Sequence, residues 1–565
     1  MKWRYNFILL LFLALFFVVT ARLFYWQVVK ADELSSLGES QYGSLITVSP
    51  KRGDIEASDG FPIATNRLSY LLFFNPKEIQ NTAAAAAVLS PLLHIDAATI
   101  SARLSLNGYW VSLKSGIDTK TKDAIEALRL PGVGFQESYT RFYPEASMAA
   151  SLLGFVGKDA AGNDRGYFGL EGYYDRQLRG RPGHAVEIHD ALGRPILSEL
   201  SGTGAAQNGR TLVLSINRSL QFLAEQVIKE GVKKYGAKAG MVGIINPKTG
   251  EILAMANYPS FNESTFWEYP ASSYVNPFIS DLYEPGSTMK PLVMAGAIDR
   301  GLLKPTSTCP ICNGPVQVGN YAIHTWNNQY FPNTTMEDVL RHSDNTGMVY
   351  VSEKMGLDNM LANFKAFGQT DITGIDLQGE VSSNMLAKKI WYPIDVATSA
   401  FGQGIAVTPI ELLDGFAAIA NNGIRMQPHV VDKIITADGQ TISIAPQELS
   451  RPISKETAKI MTEMLVYTVD KGEAAFARLH GYRIAGKTGT ASIPVAGHYD
   501  PTKTIASFIG FAPADNPKFA MLVIYDKPTA SVWGSETAAP TFFDLAKYLL
   551  EYYNIPPRPN INQQE

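Results

Sequence analysis

The chain has 565 residues, of which 18% are charged and 46% apolar, with a formal net charge of −4. That length holds two or three domains, each with its own core, and without a long low-complexity tract it reads as a folded chain. The near-neutral balance removes the electrostatic reason to expect a nucleic-acid partner.

The first predicted element is a membrane span. After Lys2 and Arg4 comes "FILLLFLALFFVVTA", Phe7 to Ala21, with Thr20 its only polar member; beyond Arg22 the apolar character resumes in "LFYWQVV". A helix from Phe7 to Val29 would be about 35 Å long, enough to cross a bilayer. Arg22 could snorkel to the far interface, where Tyr25 and Trp26 are also at home. Basic residues ahead of the span place residues 1–6 in the cytoplasm and the rest outside, as a single-pass protein of the cytoplasmic (inner) membrane with an extracytoplasmic, periplasmic body. A cleaved signal peptide is the rival, since Val19 and Ala21 have the spacing a signal peptidase accepts. Cleavage there would leave a greasy new terminus, which favours the uncleaved anchor. A buried soluble helix is the third reading, but no second comparable span exists to pair with it.

Residues 30–214 mix short strands and helices with many glycines and prolines. "SPKRGDIEASDGFPIATN", Ser49 to Asn66, reads as a hairpin around an Asp-Gly turn. "NTAAAAAVLSPLLHI" and "TKTKDAIEAL" read as helices, and "GRPG", Gly180 to Gly183, as a turn. No catalytic cluster stands out, so this part reads as a structural or docking module.

The texture changes near residue 215. "NRSLQFLAEQVIKEGVKKYG" has apolar residues at helical spacing and a glycine stop. "GMVGIINPKTGEILAMANYPSF" gives two strands around the turn Pro247-Lys248-Thr249-Gly250. "TIASFIGFAP" and "KFAMLVIYD" are two more strands, "TFFDLAKYLLEYY" a terminal helix, and the polar residues 554–565 a disordered tail. Strands at both ends of residues 215–553, with helices between, imply an α+β domain: an antiparallel sheet flanked by helices from both termini.

Within that domain, "LYEPGSTMKPLVMAGAIDRG" puts Ser287 and Lys290 on the opening turn of a helix that is apolar or small at every position from Leu292 to Ile298. A hydroxyl there lies near unpaired backbone N–H groups and the positive end of the helix dipole. A lysine among apolar neighbours loses hydration and shifts toward a neutral amine that can accept a proton. Ser287 is thus a candidate nucleophile and Lys290 its base. The bland alternative is a serine N-cap with an exposed lysine, and Ser-x-x-Lys arises by chance about once or twice in such a chain. Two further segments weigh against chance. "RHSDNTGM" supplies Ser343, whose hydroxyl could relay a proton, and Asn345, whose amide could hold a substrate backbone. "GKTGTAS" supplies Lys487, Thr488, Gly489 and Thr490, a cation and hydroxyls for a carboxylate beside a glycine that admits close approach. The backbone N–H groups of Ser287 and Thr490 could stabilise an oxyanion. Separately, "SDN" could be a surface turn and "GKTGT" an ordinary strand end.

These three motifs, in this order, form a known signature of β-lactamases and penicillin-binding proteins. The chain resembles a class B penicillin-binding protein, a monofunctional D,D-transpeptidase of bacterial cell-wall synthesis. The likeness extends to "PKTGEILAMANYPSF", "YEPGSTMKPL", "SAFGQGIAVTPIEL", "GFAPADNPKFAMLVIYDKP" and "GSETAAPTF". It also covers "RGDIEASDG" and "GLEGYYDRQLRGRPG" of the pedestal, although Ala57 and Ser58 stand where an Asp-Arg pair is usual. The resemblance implies a transpeptidase domain of serine β-lactamase-like fold at 215–553, an elongated, dimerisation-type α+β pedestal at 30–214, and a transmembrane helix at 7–29. It implies attack of Ser287 on a D-Ala-D-Ala stem peptide, release of D-Ala, and transfer to an acceptor amine. Lys487 and Thr490 would hold the terminal carboxylate, and β-lactam antibiotics would acylate Ser287. No cofactor and no metal are implied. "FGQGIAVTPIELLDGFAAIANNG" and "EPGSTMKP" resemble the septal, division-type subgroup more than the elongation subgroup. That implies a polytopic glycan polymerase of the shape, elongation, division and sporulation (SEDS) family as partner, with divisome or elongasome membrane proteins. A D-Ala-D-Ala carboxypeptidase or β-lactamase is the hydrolytic alternative, and a membrane-anchored scaffold or β-lactam sensor the non-enzyme one.

Cys309 and Cys312, in "STCPICNGP", can form a local disulfide in an extracytoplasmic domain, supply half a zinc site that His324 is poorly suited to complete, or stay free.

Overall fold

Seven consecutive apolar residues, Phe519 to Tyr525, do not alternate as a half-exposed strand should, and the computed structural model shows the reason. They form the middle strand of a five-stranded antiparallel sheet. Phe519, Met521, Val523 and Tyr525 enter the core on one face, and Ala520, Leu522 and Ile524 enter it on the other. A strand covered on both sides has no polar face to show.

The structure describes residues 2–34, 43–106, 110–160, 162–188, 206–495 and 498–558. They fall into two units. One comprises Met1–Arg52, Asn66–Thr140 and Gly180–Gly209; the other comprises Gly53–Thr65, Arg141–Arg179 and Arg210–Glu565.

The larger unit holds the five-stranded sheet, with strands β1 (Ala239–Ile245), β2 (Ile252–Tyr258), β3 (Ala485–Val495), β4 (His498–Ala512) and β5 (Phe519–Asp526) in the order β2-β1-β5-β4-β3. Its main helices are α1 (Arg218–Tyr235), α2 (Lys290–Asp299), α3 (Asn345–Ala366), α4 (Pro409–Ala420), α5 (Lys455–Lys471) and α6 (Ala538–Tyr552). Helix α1 starts where Asn217 accepts a hydrogen bond from the Leu220 N–H at 2.9 Å and stops at left-handed Gly236. Between these caps Leu220, Ala224, Ile228, Val232 and Tyr235 form one buried stripe, while Phe222 on another face is exposed. Helices α1 and α6 cover one face of the sheet, so the helices from both termini do cap it. Helix α6 begins at Ala538, earlier than its apolar pattern suggests, because Pro540 falls in the first turn, where its missing N–H costs nothing. The other face meets a larger core that includes α2 and α4, and every residue of α4 is buried.

The hairpin of Ser49 to Asn66 forms, with Ile55 opposite Ala64 and Asp59-Gly60 in its turn. Ala57, one of the two departures from the family pattern, is fully buried. The two cysteines are joined as a disulfide. Of the tail read as disordered, the first part is held: Tyr482 donates to the Ile555 carbonyl at 3.2 Å and the Arg558 N–H to the Gly481 carbonyl at 2.7 Å. Ile555 is apolar and packs on the core beside α6, which the polar composition around it concealed. Residues 559–565 lie outside the described residues.

In the smaller unit the second half of the strand Pro62–Phe74 pairs with Val111–Ile117. Helices Thr82–Leu93, Ala97–Leu104 and Thr119–Ala127 contribute to its core of Leu72, Phe74, Leu89, Leu93, Ile100 and Ile125. The N-terminal helix runs Lys2–Phe24 and continues as a wider turn through Val29. Among the described residues it is the one helix long and apolar enough to cross a membrane, and its apolar side chains are exposed. The Arg22 guanidinium lies over the Trp26 ring at 5.2 Å, consistent with an interfacial site for both.

One buried carboxylate pins the loops beneath the larger core. Asp376 accepts from the Val430 N–H at 2.6 Å, the Val431 N–H at 2.9 Å and the Tyr174 hydroxyl at 2.9 Å. Asp376→Ala strands all three donors, and a loss of about 3 kcal/mol or more is expected in urea unfolding at neutral pH.

Candidate active site

The segment before Ser287 is fixed from below. Tyr283 and Val407 exchange backbone hydrogen bonds at 3.1 and 3.0 Å, and the Gly286 N–H donates to the Gly402 carbonyl at 3.0 Å. Ser287 then sits in a tight turn, Gly286–Thr288, that leads into α2. It is half-buried, whereas Lys290 and the next eight residues are fully enclosed, so α2 is buried all round as its composition requires.

The second segment folds over this turn. Ser343 has a left-handed backbone, φ +55°, and Asp344 caps α3 by accepting from the Thr346 and Gly347 N–H groups at 2.7 and 3.2 Å. The bend turns Ser343 toward Ser287, with their hydroxyl oxygens 2.9 Å apart. Lys290 Nζ donates to the Ser343 carbonyl at 2.6 Å, to Asn345 Oδ1 at 2.8 Å and to Ser343 Oγ at 3.3 Å. Sequence spacing suggested that Lys290 would act on Ser287 directly. In the structure its hydrogen bonds go to Ser343 and Asn345, and Ser343 makes the link to Ser287.

The third segment is β3, the edge strand of the sheet, which leaves alternate backbone groups free of ladder bonds. Gly489 lets it approach. A Cβ there would lie 2.3 Å from Ser507 Oγ and 2.8 Å from Thr288 Cγ2. Thr490 is half-buried and its hydroxyl accepts from the Gly534 N–H at 3.0 Å. Lys487 is 1% exposed, and its Nζ donates to the Thr488 hydroxyl at 3.1 Å and carbonyl at 3.3 Å. The eight residues singled out from the sequence therefore occupy three segments of one unit. Ser287, Lys290, Ser343 and Asn345 share one hydrogen-bonded cluster, and the turn carrying Ser287 packs against the strand carrying Lys487 to Thr490.

The electrostatics follow from burial. Desolvation, and then the neighbouring Lys487 ammonium, hold Lys290 well below the usual lysine range against the opposing pull of Asp344 and Glu473. Lys487 is also lowered by burial, with Glu473 opposing. An ammonium at Lys290 uses all three protons on the oxygens named above. A neutral amine needs only two of them and can accept from Ser343, which in turn can accept from Ser287. The cluster can thus carry a proton from Ser287 to Lys290.

Sequence reasoning passed over several participants. The helix start after "SDN" could have identified Asp344 as an N-cap. Glu473, which accepts from the Thr488 hydroxyl at 2.9 Å, gave no local signal. Nor did the indole contact beside the cluster. Trp326 donates to the carbonyl of His342, next to Ser343, at 3.2 Å; Trp533 precedes the Gly534 that binds Thr490; and the two rings meet edge-on at 5.0 Å. Among the described residues no group of three or more His, Cys, Asp or Glu side chains could hold a metal ion.

Comparison with known proteins fits this geometry. Residues 240–547 match the family of the penicillin binding protein transpeptidase domain, and residues 47–214 the penicillin-binding protein dimerisation domain. Stage V sporulation protein D of Bacillus subtilis is 30% identical over 99% of this chain and 87% of its own length. Peptidoglycan D,D-transpeptidase FtsI of Escherichia coli is 30% identical over 98% of this chain and 93% of its own. The structure of penicillin binding protein 3 from Mycobacterium tuberculosis, complexed with aztreonam, superposes with a TM-score of 0.70 at 25% identity, covering 91% of this chain and 98% of that one.

The contact beneath the serine turn admits no side chain. Gly402 has φ +79°, and a Cβ there would lie 2.2 Å from the Gly286 carbonyl oxygen. Gly402→Ala is expected to lower stability by roughly 1–3 kcal/mol, measured by denaturant unfolding, because the backbone next to Ser287 must shift.

Proposed function

This chain belongs to the class B penicillin-binding protein transpeptidases, and from that membership we propose that Ser287 is the nucleophile of a peptidoglycan D,D-transpeptidase that works through a serine acyl-enzyme. The observation that carries the reading is the enclosed chain Ser287–Ser343–Lys290, with Lys487 and Thr490 on the strand beside it.

In the donor step Ser287 Oγ attacks the carbonyl carbon of the penultimate D-Ala. Its proton passes through Ser343 to neutral Lys290, and the tetrahedral oxyanion is held by the Ser287 and Thr490 N–H groups. The C–N bond to the terminal D-Ala breaks, and the leaving amine takes the proton back from Lys290 by way of Ser343. Lys487 and Thr490 hold the terminal carboxylate, with Gly489 allowing its approach, and Asn345 holds the donor backbone. An acceptor amine from a neighbouring strand then attacks the ester and gives up a proton by the same route. The new amide forms and Ser287 is regenerated. β-Lactams enter as donor mimics whose acyl group stays on Ser287.

The N-terminal helix anchors the protein once in the cytoplasmic membrane, with residues 1–6 inside and the pedestal (30–214) and transpeptidase domain (215–553) outside. The setting is septal wall synthesis during division, beside a SEDS-family glycan polymerase and other divisome membrane proteins. The FtsI likeness supports this duty, and a fluorescent fusion concentrated at midcell rather than along the lateral wall tests it.

Mass spectrometry after incubation with penicillin is expected to place one acyl adduct on Ser287 and none on Ser287→Ala; a folded wild type without that adduct overturns the reading. The acylation rate should rise with pH as Lys290 loses its proton, and this limb should lie well below the ordinary lysine value of 10.5. Lys290→Arg keeps the charge but cannot give up its proton, so a loss of about 10²- to 10⁴-fold in acylation rate is expected.

A further inference from the structure

Two lysines enclosed in one site cannot serve as equals. The chemistry above asks Lys290 to be neutral and Lys487 to be a cation, yet both are buried, burial disfavours charge on each, and the Lys487 charge further disfavours one on Lys290. Glu473 favours charge on both, but among the described contacts a hydrogen-bonded route runs from it to Lys487, beneath β3.

Glu473 follows α5 directly, at the turn where Gly472 passes close to a neighbouring backbone; a Cβ at Gly472 would lie 2.3 Å from the Thr468 carbonyl oxygen and 3.1 Å from that of Arg341. The turn brings the half-buried Glu473 carboxylate under the strand, where Oε2 accepts from Thr488 Oγ1 at 2.9 Å. With its proton committed to the carboxylate, the Thr488 oxygen offers lone pairs to Lys487 Nζ at 3.1 Å. The polarity of this chain runs one way, from carboxylate through hydroxyl to ammonium, and each bond strengthens the next.

The other charged groups on the elements packed here are engaged elsewhere. Arg341, which lines the same small cavity as Glu473, Lys487 and Thr488, is paired with Asp338 at 2.8 Å. His342 contacts Arg341 and stacks on Phe331. Asp344 spends its Oδ1 on the cap of α3, keeps a buried Oδ2 without a hydrogen-bond partner among the described residues, and acts on Lys290 rather than on Lys487.

We propose that Glu473 is a positioning residue that acts through the Thr488 hydroxyl to hold Lys487 as the cation of the site. The inference rests on the transpeptidase reading, in which Lys487 must be charged to hold the substrate carboxylate. Glu473 touches neither substrate nor Ser287.

The test is the pH dependence of Ser287 acylation by penicillin in the full-length protein, resolved into binding (K) and acylation (k2). In the wild type the rate should fall on the alkaline side as Lys487 loses its proton. Glu473→Gln keeps a hydrogen-bond acceptor but removes the negative charge, so Lys487 gives up its proton more easily and the alkaline limb moves to lower pH; the Lys290 limb moves the same way, whereas Thr488→Val should move the alkaline limb alone. Each unit of movement lowers the rate on that limb about tenfold. The loss should fall mainly on K, since carboxylate binding is what the cation supplies. Glu473→Asp should restore part of the limb. Thr488→Val should reproduce the shift with the carboxylate intact, and Thr488→Ser should not. A Glu473→Gln profile superimposable on the wild type overturns the proposal, as does a uniform loss at every pH with a lowered melting temperature, the mark of a merely structural role. If the wild type itself acquires no adduct on Ser287, the underlying transpeptidase reading fails first. An adduct with an unshifted limb overturns the Glu473 inference alone.

Discussion

The removal of Lys290 from water is the constraint on which the rest of this structure depends. A lysine ammonium with no solvent must find its whole hydration shell in the protein, and here the Ser343 carbonyl and hydroxyl and the Asn345 amide oxygen supply it. Those acceptors lie more than fifty residues away in the chain, on a bend that only the left-handed Ser343 backbone and the Asp344 cap produce. Desolvation of this kind opposes folding, and the continuous apolar packing around α2 and α4 offsets it. The chemistry and the core are therefore one arrangement. The enclosure that makes α2 unambiguous as a core element also holds its first lysine well below the ordinary lysine range.

The sheet supplies the third side of the site for a related reason. A central strand such as β5 is covered on both faces and both edges, so it has nothing to offer a ligand. An edge strand keeps unpaired backbone groups, and β3 carries its lysine, hydroxyls and glycine along that edge. Gly489 lets the strand approach Thr288 of the serine turn, and Gly402 lets its loop approach the Gly286 backbone. Sites held between packed elements in this way need little reorganisation when charge develops.

Much of this was legible in the sequence. Caps and periodicity located α1, the turn at Pro247 to Gly250 located β1 and β2, and the buried character of α2 followed from its composition alone. The three site segments were legible because their residue types are chemically unusual where they fall, a lysine before an apolar helix above all. Long-range pairing was not legible. Nothing local says that Ser343 stands between Lys290 and Ser287, that Glu473 reaches Thr488, or that Ile555 packs against the core. Each depends on a contact closed over a long stretch of chain. A hydroxyl or carboxylate in a polar stretch looks the same whether it meets water or another segment.

The indole pair bears on how movement at the site could be observed. Trp326 is tied to the segment bearing Ser343 and Trp533 to the segment bearing Thr490, and their edge-on contact spans the two. Any occupant that pushes those segments apart must also separate the rings. Neighbouring indoles at this distance couple their electronic transitions, so near-ultraviolet circular dichroism and intrinsic emission would register any change in the separation of these two segments. The site carries its own optical gauge, with no label added.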